Sequence, residues 1–122
     1  METTELRELT RRIREFAQAR DWEQFHTPKN LAMALSVEVA ELAEHFQWLT
    51  PEEAERLPAD PDARLDLADE VADVAIYLLR LADVLDLDVA EAIRDKLQEN
   101  ERRFPPERVR GRATLPPGER PE

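Results

Sequence analysis

The chain has no cysteine and only two glycines, Gly111 and Gly118, both near its C-terminal end. Without cysteine, disulfides and thiolate metal ligands are excluded. That composition suits a reducing compartment, and a cytoplasmic location is the expectation. Without glycine before residue 111, no Gly-rich loop can cradle phosphates, which excludes Walker-type and Rossmann-type nucleotide binding. Uninterrupted apolar runs are also missing. The longest candidate, 65–87, is broken by Asp69, Glu70, Asp73, Arg80 and Asp83, so no membrane span is expected. The opening METTELRELTRR places acids early and holds no apolar stretch, so no signal peptide is expected. Bases are in deficit. With 17 against 28 acids the formal charge is -11, which disfavours duplex nucleic acid as a partner. A small anionic substrate stays open if metal ions mask the acids locally.

What is present is helical punctuation. The 122 residues suffice for one domain with its own core. Leu6, Leu9, Ile13 and Phe16 recur at helical spacing and predict an amphipathic helix near 3–20. Thr27-Pro28 supplies a capping hydroxyl and a first-turn proline, opening a second helix to about Trp48. Thr50-Pro51-Glu52-Glu53 reads as a capping box for a short helix to about Leu57. Asp60-Pro61 opens a long helix to about Leu85, and Asp88 with Glu91 caps a last one to about Arg103. No strand pattern interrupts them. The fold expected is all-α, a four-helix bundle-like protomer with one short extra helix.

Residues 1–104 read as the all-α domain and 105–122 as a tail. The tail holds five of the nine prolines and both glycines, and an extended or disordered course is expected for it. The long helix is apolar on more than one face between Val71 and Leu85. Such a helix is buried nearly all round, and four helices of a small bundle rarely enclose one of their members. A second subunit is therefore expected to cover it, in a homodimer or a dimer of dimers.

Two acidic pairs lie inside apolar runs: Glu38 with Glu41, and Glu70 with Asp73. Residues three apart share a helix face, and buried ionised carboxylates are costly unless paired or metal-bound. If the two helices pack side by side, four carboxylates converge. A solvated outer face would show a similar stripe. The long helix, however, leaves little other surface to face outward, and the spacing recurs on two helices. Four carboxylates without thiolates favour Mg²⁺, with Mn²⁺ possible. A di-iron centre would want Glu-x-x-His on two helices, and that spacing is absent.

The seven aromatic residues admit two roles. Trp22, Phe25, Phe46 and Trp48 could plug the ends of the bundle. Trp22 and Tyr77 could equally flank a ligand, since base stacking on an aromatic ring is a source of nucleotide affinity. Lys96, Asn100 and Arg103 follow near the end of the last helix. They complement the helix dipole there, and beside a metal cluster the bases could bind phosphate.

The pair ExxE (Glu38, Glu41) followed by ExxD (Glu70, Asp73) resembles the MazG-like all-α nucleoside triphosphate pyrophosphohydrolases. The stretch RDWEQFHTPKNLAMALSVEVAELAEHFQW, Arg20–Trp48, is similar to their dCTP pyrophosphatase branch in particular. DEVADVAIYL (Asp69–Leu78) and KLQENERRFP (Lys96–Pro105) fit the same pattern, and the resemblance spans about 13–105. It implies Mg²⁺-dependent cleavage of a nucleoside triphosphate, dCTP or a modified pyrimidine dNTP, to the monophosphate and pyrophosphate. It implies that Glu38, Glu41, Glu70 and Asp73 ligate metal and carry catalysis. It places Trp22, His26, Trp48 and Tyr77 at the nucleotide and Lys96, Asn100 and Arg103 at the phosphates. It also implies dimers or dimer-derived tetramers. Animal dCTPases carry a substrate-contacting His in the first helix where this chain has Ile13, a departure that loosens the preference for dCTP. A non-enzymatic acidic metal-binding or interaction bundle is the alternative. It would keep the acids and the oligomer but release no pyrophosphate.

Overall fold

Side-chain caps set where the helices begin. In the computed structural model, which describes residues 4–114 and 118, the order is α1 (Thr4–Ala19), α2 (Pro28–Glu44), α3 (Pro51–Arg56), a 3₁₀ turn (Leu57–Ala59), α4 (Pro61–Val84), α5 (Val89–Arg103) and α6 (Pro106–Val109). Thr27 accepts from the Asn30 N–H at 3.2 Å, Asp60 from Asp62 at 3.1 Å and Asp88 from Glu91 at 2.9 Å. Thr50 and Glu53 form the reciprocal capping box. Each cap satisfies a donor the helix cannot use, and loss of one typically costs about 1 kcal/mol. Prolines 28, 51 and 61 follow three of these caps at the first helical position, where the missing N–H costs nothing.

Helix ends are solved without glycine. α1 closes when the Asp21 N–H donates to Gln18 and that of Trp22 to Ala17, with Asp21 at φ 56°. α4 repeats the arrangement with Asp86 at φ 58°, its N–H on Asp83 and that of Leu87 on Ala82. This is the Schellman pattern, with aspartate in the left-handed position where glycine usually sits. Aspartate tolerates that conformation better than most side chains. The first of these turns aims the segment 20–27 back toward the start of α2.

Two compact units are present, 1–87 and 88–122. In the first, α4 packs along α2 and against α1, and the 3₁₀ turn packs on α4 and α3. Its buried apolar side chains are few: Ala17, Leu31, Leu79 and Ala82. Leu31, 1% exposed, contributes about 2 kcal/mol by burial. Large apolar residues on α2 and α4 stay open, among them Met33, Val37, Val71, Ile76 and Leu78. An apolar groove runs between α1 and α4, lined by Leu9, Ile13, Phe16, Ala72, Ile76 and Leu79. The second unit consists of α5 and α6, with Ala90 buried.

The all-α fold, with four long helices and a short one, is the one expected, and the described residues contain no strand. Three local features differ from expectation. α2 stops at Glu44 rather than near Trp48, because the His45 and Phe46 N–H groups turn to acceptors three residues back, Leu42 and Ala43. That tightening ends the α-helical ladder and leaves Trp48 on a turn. A 3₁₀ turn extends the short helix to Ala59. Within the tail, α6 forms one helical turn where an extended course was expected. Pro106 sits at its first position, where proline's fixed φ starts a helix as readily as it breaks one. Residues 115–117 and 119–122 lie outside the described residues.

Candidate metal centre

α2 and α4 run side by side, so acids spaced by three on each helix meet across the seam. One carboxylate oxygen from each of Glu38, Glu41 and Glu70 lies within 4.8 Å of the other two. Glu38 and Glu70 are half-buried and Glu41 is exposed. The Oε2 atoms of Glu38 and Glu70 are fully shielded and have no hydrogen-bond partner among the described residues. Shielded, unpaired carboxylate oxygens are rare because desolvation alone costs about 1–3 kcal/mol.

The electrostatics carry the same strain. Glu38 is pushed up to about 6 by burial first, then by the neighbouring Glu41 carboxyl and the Asp73 and Glu70 charges. Glu70 is also raised, by burial and then by Glu41 and Asp73, while His45 and the Glu38 contact act the other way. Asp73 is exposed and outside the close trio, yet near enough to act on both buried carboxylates. Glu41, Glu44, His45 and Glu70 line an open depression over the seam. Glu44 was not among the candidates from sequence. It lies one further i,i+3 step along α2 from Glu41, and that spacing was the available signal.

These residues fit a hard divalent cation. The donors are all carboxylate oxygens from two helices, and Glu38 and Glu70 each keep one shielded oxygen without a hydrogen-bond partner among the described residues. A cation there would satisfy the orphan oxygens and reverse the upward pKa shifts.

The other candidates are placed differently. Trp22 and His26 lie in the segment between α1 and α2, with ring centroids 6.2 Å apart and edge-on. Trp22 also meets Phe16 edge-on at 5.7 Å, and Arg20 lies over the opposite partner, 3.6 Å from the Phe16 ring. Trp48 is 86% exposed and belongs to no helix. Tyr77 is half-buried, one turn beyond Asp73 on α4. Lys96, Asn100 and Arg103 belong to the second unit and share one face of α5. There Lys96 pairs with Glu99 at 3.2 Å, Arg103 lies 3.7 Å from the same carboxylate, and the Asn100 carbonyl accepts from Phe104.

Arg80, one of the charges that interrupt the apolar run of α4, is 4% exposed. Its Nη1 donates to Asp83 Oδ2 at 2.9 Å and its Nε to His26 Nδ1 at 3.0 Å. Arg14 on α1 grips the same Asp83 with two bonds, 2.9 and 2.7 Å. This network ties α1, α4 and the 20–27 segment together.

A model of the MazG-like family matches residues 33–112. The chain is 44% identical over 108 residues to dCTP pyrophosphatase 1 of Bos taurus, covering 88% of this chain and 64% of that one. It is 46% identical over 100 residues to dCTP pyrophosphatase 1 of Homo sapiens, covering 82% and 59%. The chain thus spans less than two thirds of these relatives' length. A crystal structure of a pyrophosphatase from Archaeoglobus fulgidus superposes with a TM-score of 0.73 at 45% identity, covering 83% of this chain and 93% of that one. Given a family match across most of the folded residues and the acidic α2–α4 seam within it, the chain belongs to the MazG-like family.

Proposed function

We propose that this protein is a divalent-metal-dependent nucleoside triphosphate pyrophosphohydrolase. It hydrolyses a (d)NTP, dCTP or a modified pyrimidine dNTP, to the monophosphate and pyrophosphate. The carrying observation is the convergence of Glu38, Glu41 and Glu70 with two shielded, unpartnered oxygens. The dCTP pyrophosphatase 1 relatives support the substrate class.

Glu38, Glu41 and Glu70, with Asp73 beside them, would hold the cation, most simply Mg²⁺. When bound, such a cation neutralises phosphate charge and lowers the pKa of a coordinated water. The chain's own residues do the rest. The carboxylates would orient a water, and one that is not ligating would take its proton as the water oxygen bonds to the α-phosphorus and the bond to the leaving pyrophosphate breaks. On this reading Trp22 and Tyr77 would offer faces for the base and His26 and Trp48 further contacts to the nucleotide, and the resemblance alone assigns phosphate contacts to Lys96, Asn100 and Arg103 of the second unit. The working domain on this reading is 1–104, with 105–122 an appended tail.

The same reading makes the active form a homodimer or a dimer of dimers. The described residues bury few large apolar side chains and leave Val71, Ile76 and Leu78 open on one helix, which provides surface for a second copy. A monomeric mass by light scattering at micromolar concentration would count against it.

A pyrophosphate-release panel over the eight common NTPs and dNTPs, with and without Mg²⁺, tests the activity. Metal-dependent release, strongest with pyrimidine dNTPs, is the expected result. No release from any nucleotide with Mg²⁺ or Mn²⁺ removes the reading.

A further inference from the structure

The most heavily paired group of charges in the first unit lies outside the acidic seam. Arg80 is buried, bound through Nη1 to Asp83 and through Nε to the imidazole of His26. Asp83 is held in turn by both arms of Arg14. A buried arginine needs a counter-charge, and Asp83 supplies it. The bond to His26 is additional, and it has a chemical consequence.

Arginine only donates hydrogen bonds and stays protonated in proteins. A ring nitrogen that receives its N–H must therefore be the bare one. In a neutral imidazole the proton then sits on the other nitrogen. We infer that Arg80 is a positioning residue that locks His26 as its Nε2–H tautomer, so that the imidazole offers a hydrogen-bond donor, and no acceptor, to a nucleobase stacked on Trp22. The ligand atom it fits is a base acceptor, a carbonyl oxygen or an unprotonated ring nitrogen. This inference rests on the proposed nucleotide chemistry of the protein.

The surroundings support it. The Trp22 ring is partly exposed and meets His26 edge-on at 6.2 Å, so a base on the indole face would have the imidazole at its edge. The segment is held at both ends, by the Schellman turn at Asp21 and by the Asn30 side chain, whose Nδ2 donates to the Phe25 carbonyl at 3.0 Å. Burial, and then the Arg80 charge, lower the His26 pKa, with Glu23 the opposing influence. Asp83 and Arg14 face this corner from α4 and α1, and Arg20 lies beside it over the Phe16 ring. The ring is thereby kept neutral and usable as a donor at neutral pH.

The test pairs a spectrum with kinetics. A long-range ¹H–¹⁵N spectrum of the full chain at neutral pH reads the His26 tautomer without any nucleotide. Protonated Nε2 and bare Nδ1 are expected, and Arg80→Met should convert this to a mixture with a raised pKa. Kinetically, Arg80→Met should raise KM about tenfold with kcat changed less than about threefold, the signature of a lost ground-state hydrogen bond. His26→Gln, whose amide nitrogen lies near the Nε2 position, should recover most of the affinity that His26→Asn loses. The two His26 variants decide the matter if Arg80→Met does not fold. A protonated Nδ1 in the wild type, or His26→Asn outperforming His26→Gln, overturns the inference. If no nucleotide is hydrolysed, the proposed activity fails separately, and the spectrum alone decides the latch.

Discussion

α4 carries two groups of charge within apolar surroundings, and the fold treats them in opposite ways. At Arg80 and Asp83, the charges meet each other and further partners drawn from α1 and the 20–27 segment. At Glu70 and Asp73, two turns earlier, the neighbours across the seam are Glu38 and Glu41, which carry the same sign. The first arrangement lowers the pKa of Asp83, chiefly through Arg14. The second raises those of Glu38 and Glu70. A charge completed within the chain holds structure together. A charge left incomplete at the expense of stability is where an external counter-ion belongs.

The sharpest way to break this contrast is to remove charge from the seam. Glu41→Gln and Asp73→Asn are each expected to lower pyrophosphate release at least ~100-fold, a loss typical of a metal site's ligands. Metal-free melting temperature should hold or rise, since each change relieves like-charge repulsion. Near-normal turnover in either variant would sink the assignment of that residue. A loss of activity accompanied by unfolding would mean the seam is structural after all.

The paired group should respond in the reverse sense. Asp83→Asn leaves buried Arg80 without its counter-charge, since the amide oxygen still accepts a hydrogen bond but carries no charge. Breaking a fully buried pair costs about 3–5 kcal/mol. Arg14 is partly exposed and Asp83 is not completely enclosed, so about 2 kcal/mol is expected, or about 8 °C in Tm for a domain of this size. Because the folded pKa of Asp83 lies below the unfolded value, its contribution is present above about pH 4 and is lost as pH falls through the folded value. Wild type and Asp83→Asn should therefore converge in stability in acid. A constant gap across the pH range would count against the ion pair as its source.

Much of this contrast was visible in the sequence, though unevenly. The caps at Thr27, Thr50, Asp60 and Asp88 are local devices, and local devices can be read from neighbouring residues. The acids were legible because i,i+3 spacing inside an apolar run is itself anomalous. Arg80 and Asp83 show that same anomaly, also three apart in the same run, but from sequence they stand only as interruptions of an apolar stretch. Their third and fourth partners, His26 and Arg14, lie 54 and 69 positions away, and no spacing rule reaches them. The end of α2 was misjudged for a different reason. Phe46 and Trp48 continue an apolar pattern, and the switch to bonds three residues back at His45 and Phe46 leaves no trace in composition. The glycine-free helix ends at Asp21 and Asp86 were hidden too, because aspartate is more often read as a cap at the start of a helix than as a left-handed residue at its end.

The finest test of the comparison is the pH at which the seam gives up its proton. Glu38 is pushed up to about 6 in the folded chain by burial and its acidic neighbours, above the ordinary glutamate value of 4.5. Between those values the folded protein keeps a proton that the unfolded chain has released. The stabilisation this group gives the metal-free protein is therefore complete below about pH 4.5 and is lost as pH rises through about 6. Glu38→Gln imitates the protonated form at every pH. Its melting temperature should match wild type near pH 5 and exceed it by a small margin near pH 7.5, a difference that cancels the titration of all other groups. Mg²⁺ competes with that same proton. Adding it should raise the wild-type melting temperature at pH 7.5, leave it unmoved near pH 5, and do little for Glu38→Gln at either pH. A Glu38→Gln protein less stable than wild type across this range would show that the Glu38 carboxylate is satisfied within the chain, as Asp83 is, and would erase the distinction between the two halves of α4.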